Sequence, residues 1–437
     1  EHLPAAGVHS WADIEDILPA TDAQIRMVTN NMTDNRTDLG YFAWDSNGTL
    51  DLGSFEQALL KLVANIECLR TAFVTSNGRM FQLILAQHDP HMQVFTAESS
   101  IADRTREILE HEMYRPLCLG RPFLDVAVVY SKTGPAHRIL FRMSHALYDA
   151  TSLPIIWTAL QTAYRNQPLV DLVPFSQYTH AVKNRTDSAT FDYWRNLLRG
   201  SSMSRIGGSS PSEVSALSLM EVVDPVTVEL SGFKMKGITT ASVVKAAWAV
   251  VLAQHIGCLD VVFADIAAAR SAVDRSVANA IGCCATGKPV RIKFQPEWTV
   301  ADLLQHVQDQ QLSGIAHEAV GPDQIIKNST DWPSGLDFTS SVNHQYARVP
   351  TEFDLGEASY TPTCLPNRDV YSSNDIQILT TDDNGSLKIA VLVAAERVPT
   401  RFKETIQARL SSTLGMLVAD AEAASSVKAL LAQLELY

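Results

Sequence analysis

His145 and Asp149 are the residues in this 437-residue chain whose types and spacing best suit chemistry. They lie in the stretch Arg142-Met143-Ser144-His145-Ala146-Leu147-Tyr148-Asp149-Ala150-Thr151-Ser152. An imidazole, with an ordinary pKa of about 6.5, takes and returns protons near neutral pH, which is the work of a general base. A second HxxxD match, His9 to Asp13, falls in a polar N-terminal tail with no strand ahead of it. His145 instead follows the apolar run 139–143 and precedes a helix expected over 150–164. Such a junction sets a side chain at the lip of a sheet. It also aims unpaired N–H groups of the helix start at the same cleft, where they can stabilise an oxyanion. The same residues equally suit a scaffold, with Asp149 as a helix N-cap and His145 as a buried, hydrogen-bonded imidazole. The eleven residues alone leave both readings open.

The elements that must position this pair alternate between helix and strand. In the first half the pattern predicts helices over 22–31, 54–67 and 101–113, with Phe55, Ala58, Leu59, Leu62 and Val63 on one face of the second. It predicts strands over 39–44, 71–74, 80–85, 124–130 and 138–143, the second and third joined by the turn Ser76-Asn77-Gly78. In the second half it predicts strands over 222–230, 260–264, 336–342 and 387–393, and helices over 241–255, 301–312 and 401–424. A Gly- and Ser-rich stretch separates the halves. The expected organisation is an α/β protein with a lobe over 1–200, a connector over 201–218 and a lobe over 219–437.

Lys and Arg total 35 against 48 Asp plus Glu, a formal net charge of −13. That balance argues against nucleic acid or an anionic membrane as partner, since both require a positive face. No apolar run reaches the roughly 18–20 residues of a membrane span, and no signal peptide is visible. The expected location is therefore the cytoplasm, with the six Asn-x-Ser/Thr sequons read as chance. The chain does not begin with Met, as expected for a piece of a longer polypeptide. Cys68, Cys118, Cys258, Cys283, Cys284 and Cys364 have neither CxxC spacing nor the density of a disulfide scaffold, and no metal, Walker A, GxGxxG or GxSxG motif is present.

The segment 144–150 resembles the HHxxxDG core motif of nonribosomal peptide synthetase condensation domains, and the family's other landmarks follow in order. Residues 14–24, Ile-Glu-Asp-Ile-Leu-Pro-Ala-Thr-Asp-Ala-Gln, resemble the opening IEDIYPCTPLQ of fungal members. Cys68-Leu69-Arg70-Thr71-Ala72-Phe73 resembles RHExLRTxF, and Phe191-Asp192-Tyr193-Trp194 the helix with a YW pair. Ala268-Ala269-Arg270 stands in the place of SGR, Ile281-Gly282-Cys283-Cys284-Ala285-Thr286 in that of IGxFVNT, and Asn343-His344-Gln345 matches a late fungal element. The resemblance spans nearly the whole chain. Its departures are Ser144 for the first His and Ala150 for the Gly, with Ser152 following. The resulting SHxxxDxxS resembles fungal terminal condensation-like domains, which release a carrier-bound peptide by ring closure.

The resemblance implies two chloramphenicol-acetyltransferase-like lobes in a V-shaped pseudo-dimer, with a tunnel at the junction. It implies a peptidyl thioester presented on the phosphopantetheine arm of an upstream carrier domain, with no cofactor bound by the domain itself and no metal. His145 would be the general base or orient the nucleophile. Asp149 would support the loop by pairing with Arg270, or alternatively Arg291. Ala150, Ser144 and Ser152 would serve the oxyanion or line the cavity, and Asn343, His344 and Gln345 would face the tunnel. Rival readings are a chain-elongating condensation domain, an acyl-CoA-dependent HxxxD acyltransferase, and a degenerate domain that binds a carrier without catalysis.

Overall fold

The computed structural model describes residues 8–33, 37–113, 117–185, 187–207, 217–230, 233, 235–270, 273–333, 335–345, 352–363, 365, 370–383, 385–421 and 425–433. In chain order the first part runs β1 (Ile14–Pro19), α1 (Asp22–Thr33), β2 (Leu39–Ser46), α2 (Leu52–Asn65), β3 (Thr71–Ser76), β4 (Arg79–Leu85), β5 (Gln93–Ala97), α3 (Ile101–Ile108), β6 (Leu124–Ser131), β7 (His137–Ser144), α4 (Ser152–Tyr164), β8 (Val173–Pro174), α5 (Phe175–Arg185) and α6 (Ser188–Leu198). The remainder runs β9 (Ser218–Glu229), α7 (Thr240–Ile256), β10 (Asp260–Ala267), β11 (Ala280–Ile281), β12 (Thr286–Lys293), α8 (Val300–Gly314), α9 (Pro322–Ser329), β13 (Ser340–Gln345), β14 (Phe353–Leu355), β15 (Ala358–Pro362), β16 (Val370–Ser372), β17 (Ile376–Asp383), β18 (Ser386–Ala394), α10 (Thr400–Ala419) and α11 (Val427–Gln433).

Two compact units result. The first gathers Glu1–Arg185, Val273–Cys284 and Ala347–Arg368; the second gathers Thr186–Ala272, Ala285–Tyr346 and Asp369–Tyr437. The expected organisation placed a single cut at 201–218, of which 208–216 lie outside the described residues. The chain instead changes unit after Arg185, and two later segments return to the first unit. They return because β11 pairs with β8, and β15, paired to β14, adds to the edge strand β2. A strand of two to five residues carries no sequence signal of which sheet it will join.

The first unit holds a six-stranded sheet in the order β14-β15-β2-β7-β6-β5 and a three-stranded sheet in the order β1-β4-β3. β7 is buried at all eight positions, as a central strand covered on both faces must be. Its two arginines are admitted by ion pairs, Arg138 with Asp45 and Arg142 with Asp125. α2 covers the sheet with the predicted face of Phe55, Ala58, Leu59, Leu62 and Val63, and Asp51 caps it by accepting from the Gly53 and Ser54 N–H groups. Trp157 of α4 packs edge-on against Trp44 and Phe141 in the same core.

The second unit is built on a seven-stranded sheet, β12-β10-β13-β17-β18-β9-β16. α7 is buried from Ser242 through Ala253, which explains its almost uninterrupted apolar sequence. Its one buried charge, Lys245, meets Asp265, and Lys288 meets Glu318 beside them. The helix predicted over 101–113 ends at Ile108 and continues as a π-turn. The strand predicted over 336–342 begins only at Ser340, where pairing to β17 starts; Leu336 and Phe338 instead pack with Trp194 and Ile325.

Candidate active site

His145 stands where β7 ends. The chain turns there through a single 3-10 turn, His145–Leu147, capped by Ser144, whose Oγ accepts from the Ala146 N–H at 3.2 Å. From His137 to Asp149, His145 is the one residue that is not buried. Its backbone N–H donates to the Asp38 carbonyl at 2.8 Å. Its ring stacks on Tyr148, with centroids 4.5 Å apart and planes 24° from parallel. Nδ1 is buried without a hydrogen-bond partner among the described residues. Tyr148 lies so close to β2 that a Cβ on Gly40 would stand 2.0 Å from its hydroxyl oxygen, so only glycine fits there.

Asp149 is 3% exposed and organises the loop around itself. Its Oδ1 accepts from the N–H of Thr151 at 3.2 Å, the N–H of Ser152 at 3.0 Å and the hydroxyl of Ser152 at 2.9 Å. Its Oδ2 accepts from the Cys284 N–H at 3.0 Å. The Leu153 N–H goes to the Asp149 carbonyl. Of the amides at this helix start, that of Ala150 has no hydrogen-bond partner among the described residues. Asp149 therefore fills the N-cap role and does more, because it also ties the loop to residues 282–284.

Ser144 and Ser152 are both fully buried. Ser144 Oγ donates to Asn31 Oδ1 at 2.6 Å, and Ser152 Oγ lies 3.2 Å from the Gly282 carbonyl. The structure thus places these hydroxyls in the scaffold of the loop. Gly282 is itself confined: a Cβ there would meet the Phe175 ring at 2.3 Å.

Arg291, the alternative partner for Asp149, is committed elsewhere. It holds Asp260 through both guanidinium edges, Nε to Oδ1 at 2.8 Å and Nη2 to Oδ2 at 2.7 Å. Arg270 is buried in the second unit, following Ala269 in a left-handed conformation at φ 52°. Asn343, His344 and Gln345 end β13 in that unit. His344 is engaged inside its own sheet, with Nδ1 2.8 Å from Thr380 Oγ1 and Nε2 3.5 Å from Asp382. Burial lowers its pKa against the pull of Asp382.

Several residues that hold the site escaped the sequence reading. Asn31 donates to the Thr37 carbonyl while accepting from Ser144. Asn30 Nδ2 donates to Asp38 Oδ2 at 2.8 Å, and Asp38 takes a left-handed φ of 52°. Burial pushes the Asp38 carboxyl up, while Asn30 and the charges of His145 and Arg26 oppose that rise. Gln24, buried at the start of α1, donates to the Ala146 carbonyl at 3.2 Å and to Gln82 at 3.0 Å. Gln24 closes the opening element at 14–24, so a sequence signal was present, but its contact with the loop 122 residues away was not legible. Phe73, from the Cys68–Phe73 element, packs in the same cluster as Ala146 and Leu147.

The profile of the family described as "Condensation domain" matches residues 14–435. The chain is 32% identical over 409 residues to the nonribosomal peptide synthetase gloA of Glarea lozoyensis, covering 92% of this chain and 6% of that protein. It is 35% identical over 376 residues to FR901469 synthetase of a Dothideomycetidae species, covering 86% of this chain and 2% of that protein. The chain thus spans a few percent of the length of these relatives. Among solved structures, one described as the crystal structure of CT superposes with a TM-score of 0.79 at 23% identity, covering 97% of this chain and 95% of that one. Holo T3CT gives 0.78 at 23% identity, over 93% and 92%. At that identity the likeness concerns the fold.

Proposed function

The chain belongs to the condensation-domain family of nonribosomal peptide synthetases, and from that premise we propose that it releases a carrier-bound peptide by intramolecular amide formation, with His145 as the base. A condensation domain forms an amide from a thioester. The observation that carries the assignment of the base is the exposure pattern of residues 137–149, in which His145 alone reaches out of a buried loop. What favours ring closure over chain elongation is the sequence SHxxxDxxS, in which both serines are internal braces of the loop.

In this reaction the peptide's own distal amine attacks the thioester carbonyl. The N–C bond forms as the amine proton passes to Nε2 of His145. The Ala150 N–H faces the oxygen on which negative charge gathers. The C–S bond then breaks, and the proton on His145 goes to the departing pantetheine thiolate. Among the described residues neither Ser144 nor Ser152 has an imidazole partner, so no acyl-enzyme is required. Holding the amine against the carbonyl supplies effective concentration that can amount to several kcal/mol.

The test is to load a linear peptide onto the upstream carrier domain and identify the product by mass spectrometry. A product lighter than the linear acid by one water supports release by cyclisation. Transfer of the peptide to a second, amine-bearing carrier would make the domain an elongating one. Turnover of a free acyl-CoA with a small alcohol would make it a diffusible-substrate acyltransferase.

A further inference from the structure

The residue that ought to support a protonated His145 by analogy with other His–Asp pairs, Asp149, accepts at both carboxylate oxygens, from two amides and a hydroxyl of its own loop and from the Cys284 amide. A different carboxylate belongs to the residue whose carbonyl holds the His145 backbone, Asp38. Asp38 sits in the turn before β2, opposite the end of β7, because Leu39 pairs with Ser144. Its carbonyl receives the His145 N–H, and its carboxyl is held by Asn30 of α1. From this geometry we infer that Asp38 is a positioning residue for His145, one that fixes the turn through its carbonyl and steadies the imidazolium through its carboxylate.

Two features support a role beyond packing. The left-handed backbone at φ 52° is a conformation that costs an ordinary side chain and that glycine adopts freely. Aspartate is among the few residues besides glycine that take it, and here its carboxyl is oriented by a hydrogen bond from Asn30. The electrostatics also have the right sign. Burial disfavours an isolated Asp38 carboxylate, and the charge of His145 favours it. The pair is therefore most favourable when His145 has gained its proton, which occurs as the amine attacks. An interaction stronger at that moment than before it raises kcat and leaves substrate binding unchanged. The other groups facing this pair are Arg26 from α1 and Tyr148, stacked on the imidazole.

This inference rests on His145 being the base, and the experiment separates the two ideas. Asp38→Gly keeps the left-handed backbone and the carbonyl acceptor and removes only the carboxylate; Asp38→Asn keeps the shape and removes the charge. Both are assayed in the carrier-linked protein, with nitrogen NMR shifts of the His145 imidazole recorded at one fixed pH. The expected result is a kcat lower by about tenfold in both variants, with KM within about twofold and a changed imidazole signature. Wild-type kcat and imidazole shifts in both variants would overturn the proposal. So would full activity in Asp38→Gly with loss only in Asp38→Asn, since that pattern reports backbone shape. Full activity of His145→Ala would sink the base assignment, while the imidazole shifts would still report whether Asp38 acts on His145.

Discussion

The backbone N–H of Cys284 donates to Oδ2 of Asp149 across 135 residues of sequence, at 3.0 Å. That bond makes the HxxxD loop and the Ile281–Thr286 landmark parts of one structure. It also explains why an aspartate is needed where a simple helix cap would do. A serine or asparagine could cap the α4 start, but only a carboxylate presents one oxygen to the helix start and the other to residue 284.

Asp149→Ala removes the acceptor for three amides and one hydroxyl in a buried setting. Each unsatisfied buried donor costs about 1–3 kcal/mol, so a loss of at least about 3 kcal/mol is expected. Asp149→Asn, which keeps one oxygen, should lose less. Urea unfolding followed by circular dichroism measures both.

Ser152→Ala should cost about 1 kcal/mol of stability and leave turnover within a fewfold of wild type, because its hydroxyl serves Asp149 and Gly282. Turnover of a carrier-loaded peptide checks this. A large fall in kcat at unchanged stability would instead put the hydroxyl in contact with substrate.

Ser144 and Asn31 should be energetically coupled through their 2.6 Å hydrogen bond. A double-mutant cycle with Ser144→Ala and Asn31→Ala is expected to give a coupling of about 1 kcal/mol in unfolding free energy. Additive losses would mean that the bond contributes nothing of its own.

Asp45 sets part of the acid limit of stability. Burial works against its carboxylate, but the Arg138 guanidinium and the Thr363 hydroxyl outweigh that and hold its pKa below the ordinary 3.8. A carboxyl whose pKa is lower folded than unfolded stabilises the fold above the unfolded value, and loses that contribution as pH falls through the folded one. Asp45→Asn should therefore flatten the decline in Tm below about pH 4. Thermal melts between pH 7 and pH 3 provide the comparison.

Much of this was legible because long, periodic elements declare themselves. The apolar run of β7, the face of α2 and the buried α7 follow from residue types alone. The family landmarks singled out the loop at 144–152, and Gln24 and Phe73 prove to be among the residues that pack against it. What was not legible has a common physical cause. Asn30 and Asn31 at the end of α1, and Asp38 in the turn after it, act through contacts 6 to 113 residues apart that residue type does not reveal. Cys284 acts through its backbone, which no side-chain type records. Spacing alone could not choose a partner for Asp149, and Arg291 proves committed to Asp260 instead. The −13 net charge bore on excluded partners and on nothing within the site.

The most direct test of the account is the single-turnover rate of amide formation from a carrier-loaded peptide, compared between wild type and His145→Ala. The account predicts a loss of roughly 10²–10⁴-fold, the usual contribution of a positioned base, with an unchanged circular dichroism spectrum and Tm. A folded His145→Ala protein that forms product at the wild-type rate would contradict it.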